Sequence, residues 1–130
     1  MVPSQLREAG GSQSVFERGS RSRRALEPIA DKWAGLIVYA LSRGLMRHNW
    51  LYREIEGISQ KMLTKTLRRL ERDGLVRHEA YPVVPPRVEY SLTPLGETLI
   101  RILAELCAWA EEHIEEVEAA RRDYDVHQGA

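Results

Sequence analysis

The chain lacks the ingredients of several protein classes. It has one cysteine, Cys107, in 130 residues. An internal disulfide framework and a cysteine zinc finger are both excluded, and a reducing compartment is the expected setting. No apolar run goes far beyond Leu36–Leu41, well short of the roughly 18 residues that a membrane span needs. The N-terminus carries arginines without an apolar core, so no secretory leader is expected and the cytoplasm is the expected location. Net charge is also absent, with 19 Lys and Arg balanced by 19 Asp and Glu. With 43% hydrophobic and 29% charged residues, the chain is apolar enough for one folded domain and too short for two.

The zero net charge conceals a gradient. Residues 59–78 carry Lys61, Lys65, Arg68, Arg69, Arg72 and Arg77 against Glu71 and Asp73 alone. Residues 94–130 carry nine acidic and three basic side chains. A basic middle and an acidic end suggest a local anion-binding surface that the whole-chain balance hides. Charge alone leaves a merely solvated face as an equal alternative.

Residues 1–20, with Gly10-Gly11-Ser12-Gln13-Ser14 and Gly19-Ser20, read as a mobile arm with a short helical piece near Val15–Arg18. A domain follows over 21–120, its C-terminal helix over 94–120, and a frayed tail over 121–130. A first helical segment is expected over Ser22–Ala30. Asp31 then caps a helix whose face is Trp33, Leu36, Ile37, Ala40 and Leu41, with Gly44 as its stop. Asn49 is the expected cap of a short helix, Trp50–Ile55, ended by Gly57. Ser59 caps another, Gln60–Asp73, ended by Gly74. Met62, Leu63, Thr66, Leu67 and Leu70 form its inward face; Gln60, Lys61, Thr64, Lys65, Arg68 and Arg72 point out. Two helices joined by a short glycine-containing turn make a helix-turn-helix.

Leu75–Ala80 and Arg87–Leu92 read as strands, the second by its alternation of Val88, Tyr90 and Leu92 with Arg87, Glu89 and Ser91. Pro82, Pro85 and Pro86 cannot donate ladder hydrogen bonds and belong to the connecting loop. The hairpin is a wing with a stiff tip. Thr93 and Pro94 open the last helix. Its stripe runs through Leu95, Leu99, Ile102, Leu103, Leu106, Trp109, Ala110, Ile114 and Val117, more than a small core can cover. A second copy of the chain is therefore expected along Leu99, Ile102, Leu103, Leu106, Trp109, Ala110 and Ile114; a helix lying along its own domain is the alternative. The fold class is mainly α with a small β-hairpin.

This layout suits duplex DNA. Gln60, Lys61, Thr64 and Lys65 sit where a recognition helix reaches base edges. Arg68, Arg69 and Arg72 are candidate phosphate contacts, and the free N–H groups after Ser59 can hold another phosphate. Arg87, beside Pro85-Pro86, is the wing's candidate contact with the minor groove. Enzyme readings do poorly: no glycine-rich phosphate loop or convergent titratable cluster is visible, so no catalytic residue, cofactor or metal is expected. Cys107 and His113 share no helical face, and Cys107 reads as a small buried hydrophobe. Trp109, beside the seam, is the candidate lining of a cavity for an unidentified small-molecule effector. The rival reading is a winged-helix protein-interaction module without DNA binding; the basic outer face from Lys61 to Arg72 argues against it.

Gly57-Ile58-Ser59-Gln60-Lys61-Met62-Leu63, then Leu67-Arg68-Arg69-Leu70-Glu71-Arg72-Asp73-Gly74-Leu75-Val76, resembles the HxlR-type winged-helix transcriptional regulators. Val84-Pro85-Pro86-Arg87-Val88-Glu89-Tyr90-Ser91-Leu92-Thr93, followed by Gly96, matches the same family more specifically. Lys32-Trp33, Arg47, Leu51, Ile55 and Trp109 extend the resemblance over most of the chain. It implies a winged helix-turn-helix homodimer with N- and C-terminal dimerisation helices, the helix after Ser59 as recognition helix, and residues 76–92 as the wing. It also implies repression or activation of nearby genes through an inverted-repeat operator. Some members sense oxidants through a cysteine upstream of the Lys-Trp pair; that position is Ser20 here. His48 stands where an aromatic is usual, Trp50 where an acidic residue is usual, and Ala30-Asp31 where two glycines are usual.

Overall fold

The computed structural model describes residues 17, 19–27 and 31–129. Most of the expected N-terminal arm lies outside them. The described elements run α1 (Arg21–Leu26), α2 (Lys32–Leu41), β1 (Met46–Arg47), α3 (His48–Glu54), α4 (Gln60–Arg72), β2 (Val76–Tyr81), β3 (Arg87–Leu92), α5 (Pro94–Glu97) and α6 (Ile100–Gly129).

Local chemistry sets these boundaries. The Ser20 hydroxyl accepts from the Arg23 N–H and starts α1. Asp31 accepts from the Ala34 N–H at 2.8 Å and starts α2. Ser59 accepts from the Met62 N–H at 3.0 Å and starts α4. Each side-chain oxygen satisfies a backbone donor that the first helical turn leaves free. Helix α4 stops at Gly74, whose φ of +76° is the left-handed conformation that glycine adopts without cost. The Leu75 N–H then reaches the Leu70 carbonyl and the Gly74 N–H the Glu71 carbonyl, both at 3.0 Å, the paired bonds of a Schellman cap.

The antiparallel sheet has the order β1-β3-β2. Strand β3 pairs with β2 from Val76↔Leu92 to Tyr81↔Arg87. The third strand, absent from the sequence expectation, pairs Met46 with Tyr90 and Arg47 with Glu89. The short helix after it begins at His48, with Arg47 as an N-cap that makes no side-chain bond, rather than after Asn49.

One core lies beneath these elements. Ile37, Val38 and Leu41 of α2 meet Leu51 of α3, Leu63, Leu67 and Leu70 of α4, Val76 and Leu92 of the sheet, and Leu103 of α6. A second glycine is required by close approach. A Cβ on Gly96 would stand 2.1 Å from the Leu75 carbonyl oxygen, so only glycine lets α5 sit on the turn after α4.

Two C-terminal expectations change. The helix opened by Pro94 is interrupted after Glu97: the Thr98 and Leu99 N–H groups donate to the Leu95 and Gly96 carbonyls, and the long helix restarts at Ile100. It then runs unbroken through Gly129, past Arg121, where fraying is expected. No glycine or proline falls between Gly96 and Gly129 to stop it.

Candidate nucleic-acid interface

Helix α4 is the centre of the candidate site. Leu63 and Leu70 are fully buried, and Thr66, whose hydroxyl donates to the Met62 carbonyl at 2.7 Å, is buried beside them. Burying this face fixes the opposite one outward. Gln60, Lys61, Lys65, Arg68 and Arg72 are exposed and Thr64 is half-buried. Ser59, also exposed, is committed to its cap. Met62, expected inward, is instead 37% exposed.

Arg69 differs from its neighbours on α4. Expected among the phosphate contacts, it turns back and donates to the Asp31 carboxylate at the start of α2. Asp31 uses one oxygen to cap α2 and the other to hold Arg69. The pair ties the orientation of α4 to that of α2.

The wing also differs from expectation. Its tip is Val83, Val84, Pro85 and Pro86, with Val84 fully exposed, so the tip is apolar and the candidate contact Arg87 is not part of it. Arg87 sits at its base. Its guanidinium lies 4.4 Å from the centre of the Tyr81 ring and 3.5 Å from the Glu89 carboxylate. The hydrogen bond to Glu89 comes first among the causes that push the Tyr81 phenol above its ordinary value. Between wing and helix-turn-helix lies a cleft of about 510 Å3, lined by Arg47, His48, Asn49 and residues 83–88.

His48 makes a contact that no local sequence pattern marks. Its Nε2 lies 3.2 Å from the Thr64 hydroxyl on α4. Its ring centre is 6.4 Å from that of Tyr90. Burial lowers the His48 pKa below the ordinary value. On the other side of the sheet's Tyr90, His78 meets the Glu71 carboxylate at 2.6 Å.

The long helix divides by exposure. Leu99 and Leu103, expected at a dimer seam, pack instead on the domain's own core. Ile102 (55%), Leu106 (61%) and Trp109 (56%) are uncovered, as are Ala110 and Ile114. Between α2 and α6 lies an apolar cavity of about 400 Å3, lined by Gly35, Leu36, Tyr39, Leu103, Leu106 and Cys107 among others. Trp109 is not among its walls and packs against His113 instead, with ring centres 5.1 Å apart and the rings tilted by 42°. Among the described residues, no group of His, Cys, Asp and Glu could hold a metal ion, and no helix is long and apolar enough to cross a membrane.

The profile of the HxlR-like helix-turn-helix family matches residues 28–118. The chain belongs to that family. Among family relatives is the uncharacterized HTH-type transcriptional regulator YtfH of Escherichia coli, 45% identical over 108 residues, covering 83% of this chain and 86% of the relative. The solved structure of ytfH from Salmonella typhimurium superposes with a TM-score of 0.76 at 42% identity, covering 84% of this chain and 97% of that one. The redox regulator HypR in its reduced form superposes with a TM-score of 0.71 at 41% identity, covering 75% and 97%. The function class of the HxlR-like family is DNA-binding transcriptional regulation, not enzymatic catalysis.

Proposed function

We propose that the protein is a homodimeric, cytoplasmic, sequence-specific regulator that places α4 in the major groove and the wing at the minor groove of an inverted-repeat operator. The observation that carries this reading is α4 itself, whose apolar face is consumed by the core while Gln60, Lys61, Lys65, Arg68 and Arg72 stand uncovered on the other side. Gln60 at the first turn is suited to adenine N6 and N7, and Lys61 and Lys65 to guanine O6 and N7. Arg68 and Arg72, further along, suit phosphates, which fix register without reading sequence. Arg69 is withdrawn from this set by Asp31, and Arg87 contributes only if it leaves Tyr81 and Glu89.

The uncovered stripe of α6 supports a second copy as its cover. Two copies related by a two-fold axis would present their α4 helices to successive major grooves, about 34 Å apart. The cavity between α2 and α6 is the candidate site for a small apolar effector, which would act by shifting how the copies pair.

The test is fluorescence anisotropy on the intergenic DNA flanking the protein's own gene, against scrambled DNA, across a salt series. Tight selective binding that weakens steeply with salt is expected. Lys65→Ala or Arg68→Ala should weaken binding on every sequence and make the log-log salt slope shallower by about 1. Gln60→Ala should relax base preference and leave that slope unchanged. No binding even at low salt would return the protein to the interaction-module reading.

A further inference from the structure

Thr64 is half-buried on α4 between Lys61 and Arg68, which lie three residues before and four after it and so share its side of the helix. A threonine hydroxyl has one proton to donate and two lone pairs to accept with. The hydroxyl of Thr66, two residues on, donates back to a helix carbonyl. The partner of Thr64 is different: it is Nε2 of His48, at 3.2 Å, reaching across from the first residue of α3.

We propose that His48 is a positioning residue for recognition, setting which way the Thr64 hydroxyl points its proton and therefore which base edge Thr64 reads. The inference rests on α4 being the recognition helix. We take the neutral ring of His48 as the Nδ1–H tautomer, in which Nε2 accepts the Thr64 proton. The oxygen then shows the groove only lone pairs, which suit the amino donors of adenine N6 and cytosine N4. With His48 protonated, both ring nitrogens donate. Nε2–H then donates to Thr64, and the hydroxyl proton swings outward to suit guanine O6 or N7, or thymine O4. Protonation thus inverts the hydrogen-bond polarity at one base-reading position without moving the backbone.

The surroundings hold His48 in the neutral state in the free protein. Strand β3 brings Tyr90, Arg87 and Glu89 near it, with Glu89 paired to Arg87. Burial is the first cause that raises the Tyr90 phenol, keeping it neutral. Helix α4 carries Lys61 and Arg68 on the side of Thr64, and its Arg68 and Glu71 act on Tyr90, with Glu71 bonded to His78. Arg47 and Asn49 flank His48 on its own segment and line the same cleft. Burial lowers the His48 pKa and neither paired carboxylate offsets it. The imidazolium therefore forms only on the acid side of the ordinary histidine range. Phosphates approaching that cleft would favour it.

The test starts with an operator selected from randomised duplexes by the wild-type protein at about pH 8, on the alkaline side of any histidine titration. Each position is then substituted with all four bases, and affinities are read by anisotropy at about pH 8 and about pH 5.5, spanning that titration. At one position in each half-site, wild type should favour adenine or cytosine at the higher pH. That preference should move about three- to tenfold toward guanine or thymine at the lower pH, the value of one hydrogen bond. Thr64→Val should abolish the preference there and nowhere else. His48→Gln, whose amide can donate or accept but does not titrate, should keep a preference that no longer responds to pH. His48→Phe should lose it while retaining non-specific binding at low salt, which shows that the variant is folded. A pH response that survives His48→Gln, or a preference that survives Thr64→Val, overturns the proposal. A wild-type operator whose preferences ignore pH overturns it while leaving α4 as the recognition helix. A wild-type protein that selects no sequence overturns both.

Discussion

Helices α4 and α6 are both amphipathic, and the fold treats them in opposite ways. The apolar face of α4 is consumed within the chain: Leu63, Leu67 and Leu70 are 0%, 1% and 0% exposed. Among the described residues of α6 only Leu103, 8% exposed, is buried, and Ile102, Leu106 and Trp109 stay more than half exposed. The charged faces differ too. That of α4 is basic, whereas α6 carries Glu105, Glu111, Glu112, Glu115, Glu116 and Glu118. Phosphate is drawn to the first and repelled by the second. An apolar stripe therefore does not say what will cover it. Space in the domain's own core says so for α4. For α6, none of the described residues covers Ile102, Leu106 or Trp109.

The sharpest way to break this contrast is one truncation in each helix. Leu67→Ala removes a side chain that is 1% exposed at the centre of the core and should cost about 2–5 kcal/mol in thermal or denaturant unfolding. That is a large part of the roughly 5–15 kcal/mol that holds a domain together. Leu106→Glu combined with Trp109→Glu alters side chains 61% and 56% exposed. Unfolding of the isolated chain should hardly change. Sedimentation should show monomer in place of dimer, and affinity for an inverted repeat should fall by on the order of 10²–10⁴, because linked binding of two half-sites is lost. An unchanged sedimentation coefficient would remove α6 as the seam.

Legibility in the sequence followed the range of the physics. Helix α4 could be bounded to within a residue because its signals are local: Ser59 at one end and Gly74 at the other. The wing strands announced themselves by alternation. Strand β1 did not, since two residues, Met46 and Arg47, carry no period and are extended only because β3 pairs with them. The break at Thr98 was hidden for a related reason, since it consists of backbone bonds of shorter span, from the Thr98 and Leu99 N–H groups to the Leu95 and Gly96 carbonyls, and no residue type announces it. At the site, helical period identified the outward residues of α4. It could not reveal that Arg69 meets Asp31 or that His48 meets Thr64, which lie 38 and 16 residues apart in the chain. Charge type alone made Arg69 resemble Arg68, though one side chain is paired with a carboxylate and the other is exposed.

That last pair gives the smallest effect and the finest version of the comparison, now between neighbours on one helix. Arg68→Ala removes an exposed cation and should lower DNA affinity with a shallower salt slope. Arg69→Ala removes a cation already held by a carboxylate, so the slope should not change. The cost should appear in stability instead. Both side chains of the pair are about 40% exposed, so the loss is that of a screened surface ion pair, about 0.2–1 kcal/mol. Asp31 keeps its bond to the Ala34 N–H in that variant, so α2 retains its cap. Asp31→Ala should therefore be worse than Arg69→Ala, adding about 1 kcal/mol for the lost cap. The two single variants and the double, measured by denaturant unfolding, separate the terms: the ion pair is the non-additive part, and the cap is what remains with Arg69 already removed. A salt slope that flattens in Arg69→Ala would show that DNA takes the arginine from Asp31, and would place α4 in the complex at a different tilt on α2.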